Sequence, residues 1–166
     1  MKKVIIVDYG VGNIMSIKMA FDKIDIEARL TRNLDEILNS SYVVLPGVGA
    51  YASAMKKISE YGLDECLRTA AKNKTYILGI CLGAQLLLNK SEEFGDNKGL
   101  GLITGEVKKI SDIRGSPSSK LKLPHIGWSK IIISKNLEKN QEKLLNGLNG
   151  KDFFYFIHSY ICQTKE

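Results

Sequence analysis

Residues 76–88 read YILGICLGAQLLL, an apolar run into Gly79, a cysteine at 81, a glycine at 83, and then apolar residues of helical character. Small residues two before and two after a cysteine predict a sharp strand-to-helix elbow, because larger side chains there would collide with neighbouring backbone. Such an elbow lifts the Cys81 sulfur out at the carboxyl end of a sheet, where open α/β sheets hold their ligands. It also sets Cys81 at a helix N-terminus, whose exposed amides and dipole favour thiolate over thiol. The backbone amide just after the cysteine would face a developing oxyanion. The same pattern arises when glycines only help a helix pack on a sheet and the cysteine is a small core residue, so the surroundings must decide.

A second stretch bears on the choice. YVVLPGVGA (residues 42–50) is a buried strand that breaks at Pro46 into Gly47, Val48 and Gly49. Glycines there let backbone N–H groups turn inward towards an anion. On its own the loop is an ordinary glycine-rich turn. Placed on a strand beside the first, it makes an oxyanion site with a nucleophile.

Working outward, VIIVDYG (residues 4–10) is a continuous apolar run ended by Asp and Gly, as in a strand buried on both faces. Residues 14–24 place Ile14, Ile17, Met19, Ala20, Phe21 and Ile24 at helical spacing. EARLTRN predicts a short strand and LDEILNS a short helix. Residues 52–74 predict two helices broken near Gly62, YILGI a strand, and CLGAQLLLNKSEE a helix from Cys81 or just after it. This alternation predicts a parallel sheet with helices on both faces. Beyond Gly95 the pattern changes: GLGLITGEVKKI, IGWSKIIIS and KDFFYFIHSYIC predict a mixed or antiparallel section. Residues 111–122 carry Gly, Pro and Ser and predict an exposed loop.

The 166 residues suit one domain, 1–166, with a net charge of +6. The lysines are dispersed and no aromatic stacking motif lies among them, so a solvated surface is expected and no nucleic-acid partner. The N-terminal apolar run is four residues long and interrupted by Asp8, which fits a first strand rather than a leader. No run suggests a membrane span, and a cytoplasmic protein is expected. Cys66, Cys81 and Cys162 have no CxxC spacing, so neither a metal site nor a disulfide framework is implied. Cys66 and Cys162 are expected to be small core or half-buried residues.

VDYGVGN, LPGVGAY, GICLGAQLL, EEFG, GLGLITGEV, PHIGW and FIHSY occur in the order seen in class I glutamine amidotransferases. Within that family the chain resembles the glutaminase subunit of imidazole glycerol phosphate synthase, or its surface-polysaccharide paralogue, from residue 4 to about 160. The resemblance implies the flavodoxin-like three-layer α/β fold of the class I glutamine amidotransferases, mostly parallel with an additional mixed section. It implies that Cys81 forms a glutamyl thioester and releases ammonia. By the same resemblance Gly47, Val48 and Gly49 match the oxyanion strand, Leu82 gives the second amide, and Gln85 contacts the amino-acid end of glutamine, helped by backbone around Ser159 and Tyr160. The implied partner is a (β/α)8-barrel synthase (cyclase) subunit, with glutamine as substrate and no cofactor. Relatives in surface-polysaccharide pathways give ammonia to a sugar amidotransferase instead, and a non-catalytic partner-binding subunit is the third reading.

A cysteine nucleophile needs a base, usually His oriented by a carboxylate. The chain has His125 in PHIGW and His158 in FIHSY. Neither matches the family's catalytic histidine, which sits in a later QFHPE-like segment followed closely by the catalytic glutamate. The expectation is therefore a C-terminally incomplete domain, lacking the family's last strands and helix, with little or no glutaminase activity.

Overall fold

The structure is a computed structural model and describes residues 3–113, 122–134 and 143–164. The chain divides into two compact units. One comprises Met1–Lys109 and Tyr160–Glu166, the other Ile110–Ser159.

The first unit is built on a parallel sheet of β1 (Lys3–Val7), β2 (Glu27–Thr31), β3 (Tyr42–Leu45) and β4 (Tyr76–Gly79), in the order β2-β1-β3-β4. The continuous apolar run of β1 is explained by burial on both faces, since alternate residues enter different cores. Val4 and Ile6 join Ala28 and Val44 on one face, covered by Ile14, Ile17 and Phe21 of α1 (Ile14–Asp22). Ile5 and Val7 join Val43 and Leu45 on the other, against Ile37 of α2 (Leu34–Leu38), Ala54 and Ile58 of α3 (Tyr51–Glu60), and Leu63 and Leu67 of α4 (Leu63–Lys72). The expected three-layer α/β arrangement is therefore present. Of the helical residues read from sequence in the α1 region, Met19 and Ile24 face solvent at 60% and 61% exposure. Only the i, i+3, i+7 set of Ile14, Ile17 and Phe21 meets the sheet. Gly62, at φ 66°, separates α3 from α4 where the break was expected.

β4 departs from expectation. It is an edge strand among the described residues, with Tyr76 72% and Leu78 46% exposed, where a buried strand running into Gly79 was expected.

A larger correction follows the elbow. CLGAQLLLNKSEE does not continue as a helix: α5 spans Leu82–Leu86, and Leu88–Ser91 is β5. The carbonyls that another helical turn would use are taken instead by a distant segment. Leu100 N–H donates to Leu86 O at 2.9 Å, and Leu102 N–H donates to Leu87 O at 2.8 Å. β5 then lies between β6 (Asn97–Lys98) and β7 (Ile103–Lys109), with β10 (Tyr160–Thr164) antiparallel on the far side of β7. This is the mixed section expected beyond Gly95. β7 begins only at Ile103, because the N–H groups of residues 99–102 are spent on carbonyls at the end of α5 and in β5. Cys66 is buried as expected, whereas Cys162 is exposed on β10, the edge of this second sheet.

The second unit contains an antiparallel ribbon of β8 (His125–Lys130) and β9 (Phe153–His158), registered His125 to His158 and Trp128 to Tyr155. The single strand expected across KDFFYFIHSYIC is thus two, separated at Ser159, and IGWSKIIIS is a strand only as far as Lys130. Most of the loop expected at 111–122 lies outside the described residues.

Candidate active site

The sheet brings the two glycine-marked stretches together. Leu45 at the end of β3 is in register with Gly79 at the end of β4, and the next residue on the β4 side, Ile80, donates its N–H to Leu45 O at 3.0 Å. Cys81 follows with φ 55° and ψ −119°, outside the regions L-residues favour, and is exposed. A conformation of this kind costs about 1–3 kcal/mol and persists only where the surroundings impose it.

The surroundings are the glycines. A Cβ on Gly79 would lie 2.5 Å from Ala84 Cα, and one on Gly83 would overlap the carbonyl oxygen of Leu45. The start of α5 therefore presses directly on the ends of β3 and β4, and the chain must reverse at Cys81. Gly47 completes the contact from the loop side, where a Cβ would sit 2.7 Å from Gly83 N and 2.9 Å from Leu82 Cβ. The loop after β3 is seated on the elbow itself.

Backbone donors accompany the cysteine. Gly83 N–H donates to Ile80 O, and Ala84 and Gln85 N–H both donate to Cys81 O. Among the described residues the N–H groups of Leu82, Val48 and Gly49 have no hydrogen-bond acceptor. Leu82 is the first residue of α5, where an orphan N–H is expected. Gly49 has φ 94° and open space around it, and Val48 is 47% exposed. Gln85 sits one turn along α5, and its Nε2 donates to Tyr160 O at 3.3 Å. Ser159 falls in the other unit, where its carbonyl accepts from Ile110 N–H.

Two further residues hold the loop, and nothing local in the sequence signals either role. Tyr9, fully buried just after β1, donates its hydroxyl to Pro46 O at 2.6 Å. Burial, and secondarily the charge of Cys81, raise its phenol well above the ordinary value. At the loop's other end, α3 starts after Ala50, which offers no capping side chain. Glu93 supplies the cap from 42 residues away, its Oε2 accepting from Tyr51 N–H at 2.7 Å.

Histidine is missing from the unit that holds Cys81. His125 and His158 face each other across the ribbon of the second unit, Nδ1 of the first 3.2 Å from Nε2 of the second. His125 Nε2 is also engaged, 3.3 Å from Ser129 Oγ. No helix among the described residues is long and apolar enough to cross a membrane.

The chain is similar to known proteins along nearly its whole length. The profile described as glutamine amidotransferase class-I matches residues 5–166. Imidazole glycerol phosphate synthase subunit HisH of Chlorobium chlorochromatii (strain CaD3) is 40% identical over 98% of this chain and 75% of its own length. The HisH 1 subunit of Legionella pneumophila (strain Lens) is 38% identical over 98% of this chain and 76% of its own. HisH of Moorella thermoacetica is 37% identical over the whole chain and 73% of its own length. A crystal structure of a glutamine amidotransferase superposes with a TM-score of 0.56 at 22% identity, covering 67% of this chain and 59% of that one, a likeness of fold. A cysteine on a glycine-forced elbow with a PGVG loop against it, within a profile match from residue 5 to residue 166, places this chain in the class I glutamine amidotransferases.

Proposed function

We propose that the chain is the glutamine-hydrolysing subunit of an imidazole glycerol phosphate synthase, and that Cys81 is its nucleophile. The observation that carries the reading is the seating of Gly47 on the elbow, which puts a loop of unpaired N–H groups next to an exposed cysteine in a forced backbone conformation. The thiolate attacks the side-chain amide carbon of glutamine. The carbonyl oxygen becomes an oxyanion, stabilised by N–H groups of the Gly47–Gly49 loop and of Leu82. Collapse breaks the carbon–nitrogen bond, and ammonia leaves with a proton from a general acid. Water then hydrolyses the thioester to glutamate and regenerates the thiol. Gln85, whose Nε2 reaches the backbone carbonyl of Tyr160, holds the amino-acid end of the substrate. Ammonia passes to a (β/α)8-barrel synthase subunit, and the assembly is cytoplasmic.

Residues 1–109 and 160–166 contain no histidine to serve as the general acid–base group. His125 is committed through both ring nitrogens, and His158 through Nε2. The 166-residue polypeptide is therefore expected to bind the barrel subunit while turning over amide-labelled glutamine only at background. Coexpression followed by size-exclusion chromatography and a labelled-ammonia assay tests both parts. Failure to form a complex contradicts the partner. Turnover that Cys81→Ser abolishes contradicts the placement of the base.

A further inference from the structure

We infer that Tyr9 is a positioning residue for the oxyanion loop, its hydroxyl setting the direction of the Gly47 N–H by holding the carbonyl of Pro46. The inference rests on the reading of that loop given under Proposed function. Pro46 O belongs to the peptide that carries the Gly47 N–H. In a trans peptide the C=O and N–H point in opposite directions, so fixing one fixes the other. Tyr9 is well suited to do this. Its ring is fully buried at the end of β1, its hydroxyl lies 2.6 Å from Pro46 O, and a Cβ on Gly47 would stand 2.8 Å from the same hydroxyl. Gly47 is thus confined between the Tyr9 hydroxyl on one side and Gly83 N and Leu82 Cβ on the other.

The loop has little else to hold it there. Val48 and Gly49 N–H have no acceptor among the described residues, Gly49 is surrounded by open space, and the next tie is the Glu93 cap on Tyr51. Without the hydroxyl, the Pro46–Gly47 peptide can rotate, at which point the Gly47 N–H loses its fixed direction without any loss of core packing. Proton exchange has no part in this role, since burial keeps the phenol protonated at all ordinary pH.

The test separates positioning from folding by using two alkylating reagents on the full 166-residue chain. The chloroketone analogue of glutamine alkylates a cysteine by forming a sulfur–carbon bond and expelling chloride, with its ketone oxygen seated where the amide oxygen would be. Iodoacetamide reports only the exposure and ionisation of the same sulfur. In Tyr9→Phe the chloroketone should modify Cys81 about tenfold or more slowly, while iodoacetamide reacts within about twofold of the wild-type rate and thermal melting shifts little. Equal chloroketone rates in the two proteins would overturn the inference. So would a Tyr9→Phe protein that has lost its melting transition and reacts faster with iodoacetamide, because the hydroxyl would then hold the fold rather than the loop. If wild type itself is alkylated by iodoacetamide but not by the chloroketone, the glutamine site is refuted and the role of Tyr9 with it.

Discussion

Gly83 and Gly49 are both glycines of the site, and the structure asks different things of them. At Gly83 the demand is steric, since a Cβ would overlap the carbonyl oxygen of Leu45, a backbone atom that cannot step aside. At Gly49 there is open space, and the demand is a φ of 94°. Gly83→Ala should therefore destabilise by about 3 kcal/mol or prevent folding. Gly49→Ala should cost only about 1–2 kcal/mol, the penalty of a left-handed backbone. Urea unfolding of the two variants measures the difference. A Gly83→Ala protein as stable as Gly49→Ala would mean that the elbow is not pressed against β3. At this scale the sequence was readable where a residue's type is its function. Gly79, Cys81 and Gly83 announce an elbow because only small residues fit it. Tyr9 and Glu93 announce nothing, because their work depends on atoms 37 and 42 residues away.

At the scale of elements, continuous apolar runs recovered the strands of the parallel sheet because β1 and β3 are buried on both faces, and helical spacing recovered the helices that cover them. This reading failed after Leu86. There the choice between another helical turn and a strand is made by amides of residues 100–103 reaching the carbonyls of Leu86, Leu87 and Leu88, and local propensity carries no trace of that competition. It failed again at KDFFYFIHSYIC, where one apolar run serves two strands in different sheets. The ends of β1 and β2 are joined by an ion pair that gives a pH prediction. Arg32 Nη2 lies 2.8 Å from Asp8 Oδ2, and Gly10 N–H donates to Asp8 Oδ1. The Arg32 hydrogen bond, opposed in part by burial and aided by Gly10, holds the Asp8 carboxyl below its ordinary 3.8. A lowered folded-state value stabilises above 3.8 and is lost as pH falls through the lower value. The stability difference between wild type and Asp8→Asn should thus be small, because both partners are partly exposed, level near neutrality, and vanishing below pH 3.8. Unfolding midpoints measured across that range check the sign, and a difference that grows on acidification would contradict it.

Across the whole molecule, family membership was legible from ordered motifs covering nearly the full chain, and the placement of Cys81 and the PGVG loop after neighbouring strands from their glycines. The division into two units was not, nor was the pairing of His125 with His158, which depends on the register of β8 against β9. That register is why neither histidine stands as an open base. Cys81, the nucleophile proposed above, and the unpaired amides beside it lie in one unit. The direct measurement is mass spectrometry of the chain after treatment with the chloroketone analogue of glutamine, with and without excess glutamine. One adduct is expected, at Cys81, slowed by glutamine, with Cys66 and Cys162 unmodified. Modification spread over Cys81 and Cys162, which is also exposed, indifferent to glutamine, would contradict a glutamine-binding nucleophile at the elbow.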